Sequence, residues 1–86
     1  MITPTIHPNG TPAARLLSQY ANARFALSKA LAMLREIELN ERDYYPQGDG
    51  AWSRARDGVR QVVDGVEGFR RKLADIEAGI REQVER

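Results

Sequence analysis

Apolar residues recur with a helical period over two long stretches of this 86-residue chain. In both stretches an apolar residue returns at alternating steps of four and three. This is the 3.5-residue repeat of a coiled coil or helical bundle and not the two-residue repeat of a strand. In the first stretch the repeat consists of Leu16, Tyr20, Ala23, Leu27, Ala30, Leu34 and Ile37. In the second it consists of Trp52, Ala55, Val59, Val62, Val66, Phe69, Leu73, Ile76 and Ile80. We call these two sets the heptad seams.

A segment with prolines and a turn dipeptide precedes the first seam. Residues 1–10 are therefore predicted to form an extended N-terminal arm. Thr11 then precedes Pro12, an arrangement typical of a helix N-cap followed by a proline in the first helical position. Because neither proline nor glycine occurs again before residue 44, the first helix is predicted over about residues 12–43.

A second interruption separates the two seams. Pro46 disfavours helical geometry in the residue before it, and glycines and polar residues follow it, so a loop is predicted over about residues 44–50. Asp49 is expected to cap a second helix over about residues 51–85. Two long helices joined by a short loop predict an all-α fold, an antiparallel helical hairpin.

Small residues beside the seams predict a close approach of the two helices. Three glycines share one heptad position of the second helix: Gly58, Gly65 and Gly79. Three alanines lie along the first helix: Ala23, Ala26 and Ala30. A glycine inside a helix costs about 0.8–1 kcal/mol relative to alanine, so a packing reason is expected. We predict that the two stripes touch; the alternative is that the glycines only loosen an exposed helix.

A single hairpin would leave many large apolar residues in water. Those outside the seams are Leu17, Phe25, Leu31, Met33, Leu39 and Val63. A small chain without cysteine has no disulfide to compensate for a thin core. We therefore expect a homodimer, in which two hairpins form a four-helix bundle and cover this second face. An unidentified protein partner would accept the same amphipathic faces.

Composition and charge disfavour several classes of function. The formal net charge is +1, which is too balanced for whole-surface attraction to nucleic acid. No stretch approaches the about 20 apolar residues of a membrane span and no secretory signal is recognisable, so a cytoplasmic location is expected. With no cysteine and one histidine, no metal site is expected. Catalytic and phosphate-binding motifs are absent, so neither an enzyme nor a cofactor is expected.

Charge is unevenly distributed along the chain. Residues 1–35 contain four basic residues and no acidic one, whereas residues 36–86 contain nine basic and twelve acidic residues. A hairpin would place the basic half of the first helix beside the acidic end of the second. Three i,i+4 pairs, each worth about 0.2–0.5 kcal/mol, occur in the second helix: Glu67–Arg71, Glu77–Arg81 and Glu82–Arg86. A solvated face is the simpler interpretation of these charges.

Two short segments carry the most distinctive chemistry. The N-terminal turn contains His7, Asn9 and Thr11. The predicted loop and its flanks contain Arg42, Asp43, Tyr44, Tyr45, Trp52, Arg54 and Arg56. A basic and aromatic cluster beside a helix N-terminus is suited to a phosphate, a carboxylate or a nucleobase. The alternative is that the aromatic residues only pack at the end of the hairpin.

The two segments would lie at opposite ends of a first helix about 45 Å long. In an antiparallel dimer, the His7–Thr11 segment of one copy would meet the Tyr44–Trp52 loop of the other. This hypothesis places a composite site at each end of the four-helix bundle.

The segments Pro4-Thr5-Ile6-His7-Pro8-Asn9-Gly10-Thr11 and Arg42-Asp43-Tyr44-Tyr45-Pro46-Gln47-Gly48 resemble the HxNGT-like and RDYYPQG-like segments of a family of small α-helical proteins from bacteria and their phages. The resemblance implies a cellular, phage-linked protein and transfers no activity or functional residue. With the seams, it favours a non-enzymatic interaction or assembly module that self-associates, such as a phage-related adaptor or inhibitor. The alternative is a binder of small anionic ligands or nucleic acid at the loop end.

Overall fold

Every regular element of the protein is helical. The computed structural model describes residues 1–86, with helix α1 at Ala13–Arg35, a 3₁₀ helix at Glu41–Gln47 and helix α2 at Ala51–Glu85. The molecule is a rod of 62 × 18 × 18 Å with a radius of gyration of 18.9 Å. A compact domain of this length has a radius of gyration of about 12 Å.

The two long helices pack against each other and run antiparallel. Arg24 on α1 bonds to Glu77 on α2, and Arg35, further along α1, bonds to Glu67, which is earlier in α2. Rising numbers on one helix therefore meet falling numbers on the other. This confirms the all-helical fold and its hairpin-like arrangement.

Helix α1 ends at Arg35 and not near residue 43, so the predicted range 12–43 is wrong at its end. The next two N–H groups bond to carbonyls three residues back, which closes the helix with a tight turn. The carbonyl of Leu39 then accepts the indole N–H of Trp52 at 3.1 Å, and Asp43 N–H bonds to the carbonyl of Asn40 at 3.0 Å. These tertiary and local bonds replace the i→i−4 bonds that a longer helix would need.

The connection between the long helices is longer than the predicted loop over residues 44–50. Its middle part is the 3₁₀ helix at Glu41–Gln47. This short element contains Pro46, whose fixed φ also suits 3₁₀ geometry. Gly48 and Gly50 then reverse the chain with φ of 94° and 81°, a region that side chains with a Cβ rarely adopt.

Both predicted N-caps are wrong by one residue. The N-cap of α1 is Pro12, whose carbonyl accepts the first helical N–H groups, and no side chain caps the helix. The N-cap of α2 is Gly50, again without a side-chain cap bond. Thr11 and Asp49 each lie one position too early to occupy the capping site, because Pro12 and Gly50 make the turn into each helix.

The core is thin. The buried hydrophobic residues are Leu31, Ala51, Ile76 and Ile80, and the one other buried residue is Glu77. Most of the remaining seam is half-buried: Leu16, Tyr20, Leu27, Leu34, Val59, Val66 and Leu73. A hairpin of two helices encloses only one stripe of each, so few side chains are fully removed from water.

Each helix turns part of its predicted seam away from the other helix. On α1, Leu31 is 1% exposed; the seam residues Ala23 and Ala30 are exposed. On α2, Val62 and Phe69 are 52% and 59% exposed. Their chain neighbours Val63 and Arg70 are half-buried instead. Burying the larger side chain Leu31 in place of Ala30 removes more apolar area from water, which favours this rotation of α1. Val62 and Phe69 are therefore not buried between the two helices of one chain.

The predicted contact between the alanine and glycine stripes is also wrong. Gly58 and Gly65 have open space where a Cβ would lie, with no atom within 4 Å. The alanines of the facing stripe are all exposed: Ala23, Ala26 and Ala30. Gly79 alone among the three has a close neighbour, since a Cβ there would lie 2.9 Å from Cγ2 of Thr3. The rotation that buries Leu31 moves both stripes to the surface.

The N-terminal arm lies along the C-terminal half of α2 in the same chain. The side-chain amide of Gln83 holds its backbone at two points: Nε2 donates to the carbonyl of Pro4 at 2.9 Å, and Oε1 accepts from the N–H of Ile6 at 2.8 Å. Thr3 packs on Gly79. These contacts fix the direction in which the chain enters α1.

An ion pair crosses the interface beside the core. Glu77 is 1% exposed, and its two carboxylate oxygens accept from Nε and Nη2 of Arg24. The Arg24 side chain is 37% exposed, and its pKa is raised by the hydrogen bond and the charge of Glu77. Arg81 approaches the same carboxylate at 3.8 Å. A buried carboxylate requires such partners, because burial without them is costly.

We expect Glu77→Gln to lower the free energy of unfolding by about 2–3 kcal/mol. Removal of one partner from a fully buried ion pair costs about 3–5 kcal/mol. The expected loss is smaller here because water still screens Arg24. Urea denaturation followed by circular dichroism measures the change. Glu82→Gln is the matched control, since Glu82 pairs with Arg86 on the exposed surface of the same helix. Equal losses in the two variants would contradict a structural role for the buried pair.

Candidate functional site

The N-terminal turn is stabilised within itself. The carbonyl of His7 accepts the N–H of Gly10 at 3.1 Å, and the His7 ring covers Gly10 so closely that a Cβ there would lie 2.8 Å from Nε2. Asn9 and Thr11 are exposed. The turn lies at the end of the hairpin where α1 begins, so a single chain does not bring these residues together with the loop.

At the opposite end of the rod, Trp52 packs within the chain, whereas Tyr45 is 66% exposed. Trp52 is half-buried and donates its indole N–H to Leu39. The guanidinium of Arg56 lies 4.8 Å from the centre of the Trp52 ring, a distance that gives a favourable cation–π contact. Arg56 Nε is shielded from water and has no hydrogen-bond partner. Trp52 and Arg56 therefore join the connection to α2 rather than face a ligand together.

A half-open cavity of about 230 Å³ lies between the 3₁₀ helix and the start of α2. Its lining residues are Glu41, Tyr44, Tyr45, Gly48, Asp49, Gly50, Trp52 and Ser53. The lining contains two carboxylates and no basic side chain. Negative side chains near a helix N-terminus already complement the helix dipole, so this cavity is poorly suited to a further anion.

The predicted basic residues of the loop end do not converge on that cavity. Arg42 and Asp43 line a separate surface depression with Glu41 and Tyr45. Arg54 is exposed and extends beside Gly50. The residues expected to form one anion site are therefore distributed over different faces of the connection.

One side of the hairpin, which we call the charged side, carries a network of ion pairs. Arg24, Arg70 and Arg71 line a depression there. Glu67 accepts from Arg70 at 2.8 Å and from Arg35 of α1 at 3.0 Å, and these hydrogen bonds lower the pKa of the Glu67 carboxyl. Glu67 therefore pairs with Arg70 and Arg35 and not with Arg71, its predicted i,i+4 partner.

The other side of the hairpin, the apolar side, carries an open groove of about 220 Å³. Its lining residues are Leu16, Gln19, Tyr20, Ala23 and Leu73. On α2 the helical period places Val62 and Phe69 on the same face as Leu73. On α1 it places Ala30 on the same face as Ala23. The seam residues that the hairpin leaves exposed thus share one side of the rod.

The Arg24–Glu77 pair is not among the ion pairs that the sequence spacing predicts. The excess of basic residues in the first 35 positions is compatible with a solvated face as well as with ion pairs between α1 and α2. No periodicity signal distinguishes Glu77, which buries its side chain, from Glu82, which exposes it. Only the rotation of the packed helices makes that distinction.

Comparison with known proteins finds no family model, curated protein or solved structure that matches this chain. The resemblance to small helical proteins of bacteria and phages stays a prediction. Neither long helix has an apolar stretch sufficient to cross a lipid bilayer. No three side chains of the His, Cys, Asp or Glu type are grouped as a metal ion would require.

The lowered pKa of Glu67 gives a pH-dependent contribution to stability. The ordinary value is 4.5, and the folded value is lower, so the contribution is fully present above about pH 5 and is lost as the pH falls through the folded pKa. We expect the stability difference between the wild type and Glu67→Gln to narrow progressively in acid. Urea denaturation at a series of pH values measures it. A difference that stays constant from neutral to acidic pH would contradict the bridging role of Glu67.

Proposed function

We propose that this protein is a non-enzymatic interaction module that self-associates, two hairpins forming a four-helix bundle. The observation that carries the proposal is the surplus of exposed surface. The chain exposes 6566 Å², whereas a compact monomer of 9.7 kDa exposes about 5,100 Å². The difference between these two areas is larger than the area that each partner buries in a standard protein interface, which is about 800 Å².

The kind of surface that is exposed supports the same proposal. Outside the N-terminal arm and the connection between α1 and α2, five large hydrophobic side chains are more than half exposed: Phe25, Met33, Val62, Phe69 and Val84. Large apolar side chains grouped on a small protein mark interaction sites. Val62 and Phe69 share one side of the rod with the open groove, and a second hairpin would bury them there with the same helix packing that joins α1 to α2.

The distribution of the perturbed ionisable groups supports a non-enzymatic role. Shifted pKa values occur at Arg24 and Glu67. Both groups lie in ion pairs that join the two helices, and neither lines the cavity at the loop end. Catalytic acids and bases are usually found in a cleft with a perturbed pKa, so these shifts fit a structural role.

The runner-up function, binding of small anions or nucleic acid at the loop end, has weaker support. The carboxylates of Glu41 and Asp49 line the cavity, and Arg56 is engaged with Trp52. Repulsion from the two carboxylates opposes a phosphate at this position.

We expect the purified protein to show a concentration-dependent mass. Sedimentation equilibrium from low to high micromolar concentrations measures the change from 9.7 kDa toward twice that value. A constant mass of 9.7 kDa across the whole range would contradict the proposal.

A short single-stranded oligonucleotide with a fluorescent label serves as the control for the runner-up. We expect no rise in anisotropy at moderate salt. Tight binding that weakens steeply with added salt would instead favour a nucleic-acid binder, because phosphate contacts release counterions.

A further inference from the structure

We propose that the second copy docks on the apolar side of the hairpin, over the groove between α1 and α2, and not on the face that carries Phe25. This inference rests on the proposed self-association and names its surface. The occupant is another copy of this chain, which offers the same side in return.

The first argument is the continuity of apolar surface on this side. Four of the five residues that line the groove are apolar, and the fifth is Gln19. Phe69, which lies one helical turn before Leu73, is 59% exposed, and Val62, two turns earlier still, is 52% exposed. The apolar surface therefore continues from the groove along α2 towards the connection.

The N-terminal arm extends this surface at its other end. Met1 lines a depression with Lys72 and Ile76, and Lys72 contacts the Phe69 ring at 5.5 Å. Ile2 is 92% exposed and Met1 70% exposed. The arm lies against Ile76 and Gly79 within the chain and leaves its own first two side chains, both apolar, exposed.

The second argument is the position of the small residues. Gly58 and Gly65 fall on the same face of α2 as Val62 and Phe69, at i,i+4 and i,i+7 spacing. Both glycines have open space where a Cβ would lie, so the folded chain supplies no packing reason for their cost of about 0.8–1 kcal/mol each. A helix of a second copy would supply one, because small residues allow close axial approach.

The face that carries Phe25 is a poorer candidate. Phe25 is 67% exposed and Met33 is 70% exposed, but Asn22 and Lys29 lie beside them on the same helix. Of the other large residues assigned to this face by sequence, Leu31 is buried and Leu17, Leu39 and Val63 are half-buried within the chain itself. The apolar residues that remain there are isolated.

A second copy fits the apolar side on grounds of area and charge. The surplus of exposed area is large enough for one standard interface. The formal net charge of +1 imposes little repulsion between two copies. A twofold axis would pair the same side of both hairpins, as closed dimers require.

The test compares two phenylalanines of similar exposure, Phe69 at 59% and Phe25 at 67%. Phe69→Glu places a charge on the apolar side, and Phe25→Glu places the same charge on the other face. In sedimentation equilibrium we expect Phe69→Glu to weaken the dimer by at least about 30-fold, the effect of a central interface residue. We expect Phe25→Glu to leave the dissociation constant within about threefold of the wild type, as a non-interface site does.

A second variant separates docking from folding. Gly65→Gln meets open space within the chain and replaces glycine by a better helix former, so the circular dichroism signal is expected to be maintained or raised. The same variant is expected to weaken the dimer, because the longer side chain blocks close approach.

The outcomes distinguish this inference from the proposed function. A wild-type dimer that Phe25→Glu weakens as much as Phe69→Glu overturns the inference and leaves self-association intact. A wild-type dimer that tolerates both Phe69→Glu and Gly65→Gln overturns it as well. A wild type that stays monomeric at every concentration overturns both.

Discussion

The pairing of Arg24 with Glu77 is the constraint on which the arrangement of this hairpin depends. Glu77 has almost no access to water, so its charge must be met by a partner from the other helix. Arg24 supplies two donors to it. This contact holds the axial register of α1 against α2 and, together with the burial of Leu31, the rotation of the two helices against each other.

That rotation divides the surface of the rod into two unlike sides. Arg24, Arg70 and Glu67 come together on the charged side, where Glu67 links the helices through Arg35. The heptad positions that remain uncovered turn to the opposite side, where Ala23 lines the groove with Leu73. The same rotation of the helices therefore accounts for the thin core within the chain and for the apolar side that the chain leaves exposed.

The connection between the helices illustrates how a tertiary bond overrides local preference. No proline or glycine interrupts the sequence between Arg35 and Asp43, so a longer first helix is the natural prediction. The structure instead uses the carbonyl of Leu39 to receive the indole of Trp52. The same bond joins the connection to α2, so the N–H group of Trp52 is already engaged within the chain.

The sequence alone determined the existence of two long helices. Apolar positions repeat every 3.5 residues, and the prolines and turn glycines occur only in the segments that flank the helices. Both features are local properties of the chain. It also located the segments that hold the aromatic residues and the N-terminal turn. Only the tertiary structure decided that Leu31 and Val63 face inward while Ala30 and Val62 face outward. Adjacent residues such as these fit the helical period almost equally well, and the choice between them depends on the partner helix, whose contacts no local pattern contains.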